Sequence, residues 1–385
     1  ERLDYTIGYF DVEQDVATHE ANVNLYYAQL NFIHGPDQTP SDSQALFAHA
    51  TIRLTDALNL SLGLRSTNDD KSYTSFRRNP DGTLPHPCAS PPPGLLSNPP
   101  NCALAGLFAV SDSFSSSRTD HRVALDYHLT DDIMLYGQVA TGYKVGGINP
   151  RPFFLVQIET FAEEELDSVE FGFKTMLANG RVRLNGAVFA NDYTNIQLQQ
   201  DECELPFPPF FGGPCLQPGN VGDADSNGWE IELEAHPTDR LSFDFSLSSL
   251  DFDYTRTDPS TAVVAGMVTP WTPETTWSAG IQYDWTFNDG GTLGIRFDAN
   301  FQDDVYGDAI NAATNLIEGY TLANARLMWH SSDDDWEAAL EITNLTDEIY
   351  YVNIFDQFLG TSGMTGAGIA PPRMWALHLT RNFDF

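Results

Sequence analysis

The sequence predicts an all-β protein, an antiparallel transmembrane β-barrel wall of about fourteen strands. Segments of roughly ten residues alternate apolar and polar side chains, the period of a strand with two different faces. The connections between them alternate strictly between tiny turns and long loops. A soluble β-sandwich has no reason to sort its loops by length, whereas a membrane barrel puts short turns on one side and long loops on the other. No run of eighteen apolar residues exists, so no transmembrane helix competes with this reading. The slightly negative mean hydropathy fits a wall whose strands give half their residues to the lumen.

Fourteen segments start near Leu3, Ala45, Leu58, Ser116, Ile133, Leu166, Val182, Gly228, Leu241, Thr275, Thr292, Tyr320, Trp336 and Arg373. The first run into a short turn is Ala48 to Leu54, through Thr55-Asp56-Ala57 into Leu58 to Arg65. Thr130-Asp131-Asp132, Ala178-Asn179-Gly180-Arg181, Pro237-Thr238-Asp239-Arg240, Asn288-Asp289-Gly290-Gly291 and Ser331 to Asp335 follow in the same role. Asp, Asn and Gly dominate them because they accept turn backbone conformations. Alternation justifies the strands between. Val182, Leu184, Gly186 and Val188 oppose Arg183, Asn185 and Ala187. Trp229, Ile231, Leu233 and Ala235 oppose Glu230, Glu232, Glu234 and His236. Leu293, Ile295, Phe297 and Phe301 oppose Arg296, Asp298, Asn300 and Gln302. In the last strand Trp375, Leu377, Leu379, Phe383 and Phe385 share a face that Arg381 interrupts, as a charge near the membrane interface can. Tyr143, Tyr193, Tyr254, Trp285, Tyr306, Trp329, Tyr350 and Tyr351 lie near strand ends, where an aromatic girdle belongs.

Composition narrows the function. Net charge is −35, from 54 acidic and 19 basic residues, which excludes a nucleic-acid partner. All four cysteines fall in long loops, Cys88 with Cys102 and Cys203 with Cys215. Pairing within each loop is the simplest of three connectivities and implies an oxidising compartment. Glu1 leads almost directly into a strand with no signal peptide, so the exported protein is expected to begin upstream.

Three constellations carry candidate chemistry. Asp223 to Glu234 matches the EF-hand calcium loop at every ligand position, yet Trp229 to Ala235 alternates as a strand, and an EF-hand needs flanking helices. Glu230, Glu232 and Glu234 read as a lumen wall, either attracting cations or paired with Arg183, Arg296 or Arg326. Phe207, Phe210 and Phe211, between the second pair of cysteines, form a candidate ligand-contact loop. No metal-ligand spacing, catalytic triad, phosphate loop or dinucleotide fingerprint is present, so the reading contains no enzyme, metal or cofactor.

Four motifs in order add a family resemblance. Leu135-Tyr136-Gly137-Gln138-Val139-Ala140-Thr141-Gly142-Tyr143-Lys144 resembles a mid-barrel strand of the TonB-dependent outer-membrane receptors, and Leu166 to Lys174 resembles the strand after it. Ile342-Thr343-Asn344-Leu345-Thr346-Asp347 with Tyr350-Tyr351 resembles their penultimate strand. Pro372-Arg373 into a strand ending at Phe385 resembles their last, whose terminal aromatic signals assembly to the barrel-assembly machinery. The resemblance implies that residues 1–385 are the C-terminal part of a barrel of about 22 strands. The N-terminal plug, the energy-coupling box and the first strands are missing from this stretch. It further implies TonB-dependent uptake of a scarce ligand, most often a ferric siderophore. The TonB complex would act through the plug, and the C-terminus would be periplasmic. A passive porin or fatty-acid channel and a non-transport barrel, an adhesin or secretion pore, are the alternatives.

Overall fold

The computed structural model describes residues 2–25, 30–87, 101–200, 217–333, 335–356 and 365–383. Fourteen strands form one antiparallel path in chain order. They are β1 (Leu3–Gln14), β2 (Ser41–Arg53), β3 (Leu58–Arg78), β4 (Phe108–Thr130), β5 (Ile133–Lys144), β6 (Glu164–Leu177) and β7 (Val182–Gln200). β8 (Gln217–Thr238), β9 (Leu241–Thr257), β10 (Thr275–Thr286), β11 (Thr292–Gln302), β12 (Tyr320–His330), β13 (Trp336–Thr343) and β14 (Met374–Arg381) complete it. Every segment expected from the sequence is a wall strand, and each predicted short turn joins the pair it was assigned to. The turn after β6 places Ala178, Asn179 and Gly180 at φ 55°, 57° and 82°, left-handed backbone that Asn and Gly accept readily. Among the described residues β1 and β14 each pair on one side only, so these strands do not close on one another.

Register aligns the apolar face from strand to strand. Ile7 opposes Ala48, and Ala48 opposes Leu64. Val139 lies between Val123 and Val169. Ile295 opposes Leu327, Leu327 opposes Leu340, and Leu340 opposes Leu377. A one-residue slip anywhere would turn a whole strand's apolar set to the other side. This face is open: Phe171 is 61% exposed, Val188 55% and Leu377 76%. A sandwich would bury such residues; a continuous exposed belt is the surface a bilayer covers. Arg381, which interrupts the belt on β14, lies over the rings of Trp336 and Phe383, 5.0 and 4.7 Å from their centroids.

Several strands run further than alternation indicated. β3 has 21 residues, β4 has 23 and β8 has 22, about twice a membrane crossing. In the extension of β3, Asp69 opposes Ser116 and Tyr73 opposes Asp112. There one face of β3 is buried but largely polar, with Thr67, Asp69, Ser75 and Arg77 at most 7% exposed, so the hydrogen-bonded ladder continues without apolar alternation. The extensions carry the long connections on one edge of the wall. From three of these connections Leu30 and Phe32, Leu104 and Leu107, and Phe153 and Phe154 meet in a small core.

Candidate functional site: the polar face and its mouth

The face opposite the belt is polar, and its charges form a band across seven strands. Arg183 on β7 pairs with Glu234 on β8, and His236 Nε2 lies 3.2 Å from the same carboxylate. Arg296 on β11 donates to Asp244 on β9 at 2.9 and 3.2 Å and lies 3.6 Å from Asp298. Arg326 on β12 is 3.0 Å from Glu341, which His378 approaches to 3.3 Å. Arg296 reaches Asp244 across the intervening strand because that strand carries Gly280. A Cβ at Gly280 would stand 2.5 and 2.6 Å from the Asp244 carboxylate oxygens. These pairs are partly exposed, and each contributes about 0–1 kcal/mol.

The six residues read from the sequence therefore share a face without forming one cluster. Glu234 meets Arg183; Arg296 and Arg326 hold other carboxylates. Glu232 stands opposite Asn185 and Ser246, and Glu230 opposite Ala187 and Ser248. The EF-hand lookalike is continuous strand. Its first aspartate, Asp223, accepts from Arg256 Nε and Nη2 at 2.6 and 2.8 Å and from the Asn195 N–H at 2.9 Å, so a guanidinium occupies the carboxylate.

At the long-loop end of this face a cavity of about 290 Å³ is lined by Lys144, Glu164, Tyr193, Leu198, Phe252 and Thr272, among others. Lys144 and Glu164 are opposite residues of β5 and β6. Gln197 fixes its wall. Its amide nitrogen donates to the carbonyls of Lys144, Val145 and Ala162 at 3.2, 3.2 and 2.9 Å, and its N–H to Glu164 at 2.7 Å. The sequence offered no signal for this clasp, since the partners lie 33 to 53 residues away.

A second arrangement missed by the sequence sits under the loop core. Asp37 and Arg77 are 0% and 1% exposed and joined at 2.7 Å. Asp37 also accepts from the Tyr73 hydroxyl at 2.6 Å and the Phe76 N–H at 2.8 Å. His34 lies 3.4 Å away, its pKa pushed below the ordinary 6.5 by burial and then by Arg77. Cys102, beside this core, is disulfide-bonded. Cys88, Cys203, Cys215, Phe207, Phe210, Phe211 and Phe385 lie outside the described residues.

Comparison with known proteins decides the family. The family model described as TonB dependent receptor-like, beta-barrel, matches residues 2–345. The chain belongs to the TonB-dependent receptor β-barrel family. It is 23% identical to the pesticin receptor of Yersinia pestis over 228 residues, 59% of this chain and 28% of that protein. It superposes on the ferric yersiniabactin uptake receptor FyuA from Yersinia pestis with a TM-score of 0.76 and 17% identity, covering 100% of this chain and 52% of that one. The ferric-catecholate import receptor Fiu from K12 E. coli gives 0.67 and 17%, over 98% of this chain and 51% of that one. The chain thus spans about half or less of these relatives' length, and the likeness to the solved receptors is one of fold. Within such a receptor barrel the apolar belt faces lipid, and the polar face with its mouth is the inner surface.

Proposed function

We propose that this chain is the C-terminal wall of an outer-membrane receptor that takes up a ferric siderophore in a TonB-dependent manner. The single observation that carries the reading is the match of residues 2–345 to the receptor barrel family. The sorting of loops supports it, since one end of the wall holds long loops, a packed core and a cavity. In this reading the long loops are extracellular, and Phe385 and the short turns are periplasmic. A plug and further strands complete a barrel of about 22 strands. Among the described residues the outer edges of β1 and β14 are unpaired, which supports further strands, because open edges in lipid leave backbone groups unsatisfied. The Glu230, Glu232 and Glu234 face and the arginine pairs would line the lumen. The loop with Phe207, Phe210 and Phe211 would touch ligand. The protein acts here as a receptor and not as an enzyme.

The test is uptake of radiolabelled ferric siderophores by iron-starved cells, with and without the gene. Uptake of at least one siderophore should require the gene and stop when a protonophore collapses the inner-membrane gradient. Gene-dependent uptake that survives the protonophore would make the barrel a passive channel, and no gene-dependent uptake would overturn the reading.

A further inference from the structure

At the same long-loop edge lies a second cavity, of about 330 Å³. Its walls are the connection between β5 and β6, the ends of β7 and β8, and the turn after β9. Gln200 and Gln217, the last residue of β7 and the first of β8, are register partners, and both line it. Gly219 gives the Gln200 amide its place, since a Cβ there would stand 2.6 Å from Nε2. Asn220 fastens the β5–β6 connection to β8. Its amide nitrogen donates to the carbonyls of Ala162 and Asn195 at 3.0 and 2.7 Å, and its oxygen accepts from the Ala162 N–H at 2.8 Å. Gln157, 4% exposed, accepts the Phe153 and Phe154 N–H groups at 2.6 and 3.1 Å and shapes the same connection. Amide side chains from three elements thus build the cavity.

The rest of the lining selects an occupant. Glu159 and Asp258 bring carboxylates, and Thr160, Ser260 and Thr261 bring hydroxyls. No lysine, arginine or histidine lines the cavity among the described residues. Arg256, two residues before Asp258, is held by both oxygens of Asp223. Asp258 Oδ1 accepts from the Ser260 N–H and hydroxyl at 2.9 and 2.7 Å, which hold this carboxyl below its ordinary range and so ionised. Its Oδ2 has no hydrogen bond among the described residues. A carboxylate can only accept, whereas an amide both donates and accepts. An anion would meet two carboxylates and no counter-charge. An apolar guest would strand the amides. A bare cation would leave most of the space empty, since the volume equals that of roughly eleven waters. A polyhydroxylated ring meets every demand. Each hydroxyl donates and accepts, and the C–H face suits Phe161, the aromatic ring of the lining, which lies over Gly147.

We propose that this cavity binds a neutral sugar of about one or two rings. Sugar hydroxyls donate to Glu159 and to the open oxygen of Asp258 and exchange hydrogen bonds with the Gln200 and Gln217 amides. The same chemistry serves a free oligosaccharide and a sugar of the cell's own surface polysaccharide. Access from outside the cell rests on the orientation proposed above; binding itself does not.

The test is saturation-transfer-difference NMR on the full receptor in a detergent without a sugar headgroup. The probes are glucose, galactose, mannose, N-acetylglucosamine, maltose and cellobiose. A separate arm uses the polysaccharide released from lipopolysaccharide by mild acid. At least one neutral probe should receive saturation from the protein. A signal from the small sugars marks a diffusible ligand, and a signal from the released polysaccharide alone marks the cell's own coat. Glu159→Gln combined with Asp258→Asn removes two charged acceptors and should weaken binding about tenfold or more. Gly219→Val drives a side chain into the Gln200 amide and should do the same. Asp289→Asn, in a short turn at the other edge of the wall, should bind as wild type does. Heat-modifiable migration on gels verifies folding, and Gly219→Ala replaces Gly219→Val if that variant fails it. No signal from any neutral probe, unchanged binding in the double variant, or loss of the signal in EDTA would each overturn the proposal. So would tighter binding of sialic acid or putrescine than of every neutral sugar. None of these results depends on ligand uptake, so failure here and failure of the receptor reading are separable.

Discussion

Replacing Asp37 by Ala should loosen the loop core and leave the wall intact. Asp37 accepts four hydrogen bonds, from Tyr73, Phe76 and twice from Arg77, with no exposure to water. Summing charged hydrogen bonds at about 1.5–3 kcal/mol each would give roughly 6–12 kcal/mol. That sum overshoots, because the bonds share one desolvated carboxylate. The relevant quantity is the cost of leaving Arg77 buried and unpaired, about 3–5 kcal/mol. Hydrogen exchange in the full receptor reads it directly. Amides of Leu30–His34 and 73–77 should exchange roughly a hundredfold to several thousandfold faster. Amides of β10 to β12 should not change, since no contact of Asp37 reaches them. Adding Arg77→Met to Asp37→Ala removes the orphaned charge and should recover most of the loss. If the two substitutions simply add, or if β10 to β12 loosen equally, the account of a locally buried ion pair is wrong.

A charge on the belt should cost far more than the same charge on the polar face. Leu327→Arg should lower stability by about 2–4 kcal/mol in folding titrations with lipid vesicles, and Asn300→Arg by less than about 1 kcal/mol; equal costs would invert the assignment of faces. Gly280→Val should push Arg296 off Asp244, so that Asp244→Asn, mildly destabilising alone, has no further effect in the Gly280→Val background by thermal melting. The loop core should weaken in acid. The folded pKa of His34 lies below 6.5, so between that value and 6.5 the unfolded segment binds the extra proton. Core stability therefore falls as pH drops through 6.5 and levels off below the folded pKa. Hydrogen exchange at pH 7.5 and 5.5 should show this for wild type, and His34→Gln should flatten it.

The wall was legible in the sequence because its determinants are local. Alternation such as Val182-Arg183-Leu184-Asn185 and turns such as Asn288-Asp289-Gly290-Gly291 each fit within one strand and its turn. The extensions of β3, β4 and β8 were not legible, because outside a bilayer neither face must be apolar. Thr67-Asn68-Asp69-Asp70-Lys71 reads as loop yet pairs residue by residue with Phe114 to Arg118. Facing charges were half legible. Alternation shows that Arg183 and Glu234 lie on polar faces, but choosing a partner requires register, and register put Arg296 across Gly280 onto Asp244 instead of onto a glutamate of β8. The buried ion pair was not legible at all, since Asp37 lies in a loop and Arg77, 40 residues on, in a strand extension without apolar alternation. The same contrast bears on recognition. Arg77, Arg118 and Arg256 near the mouth already hold Asp37, Asp120 with Glu165, and Asp223. An anionic ligand would have to displace a carboxylate to use any of them. In a chain of net charge −35, the cavity of about 290 Å³ is lined instead by Tyr193, Phe252, Thr272 and the register partners Lys144 and Glu164.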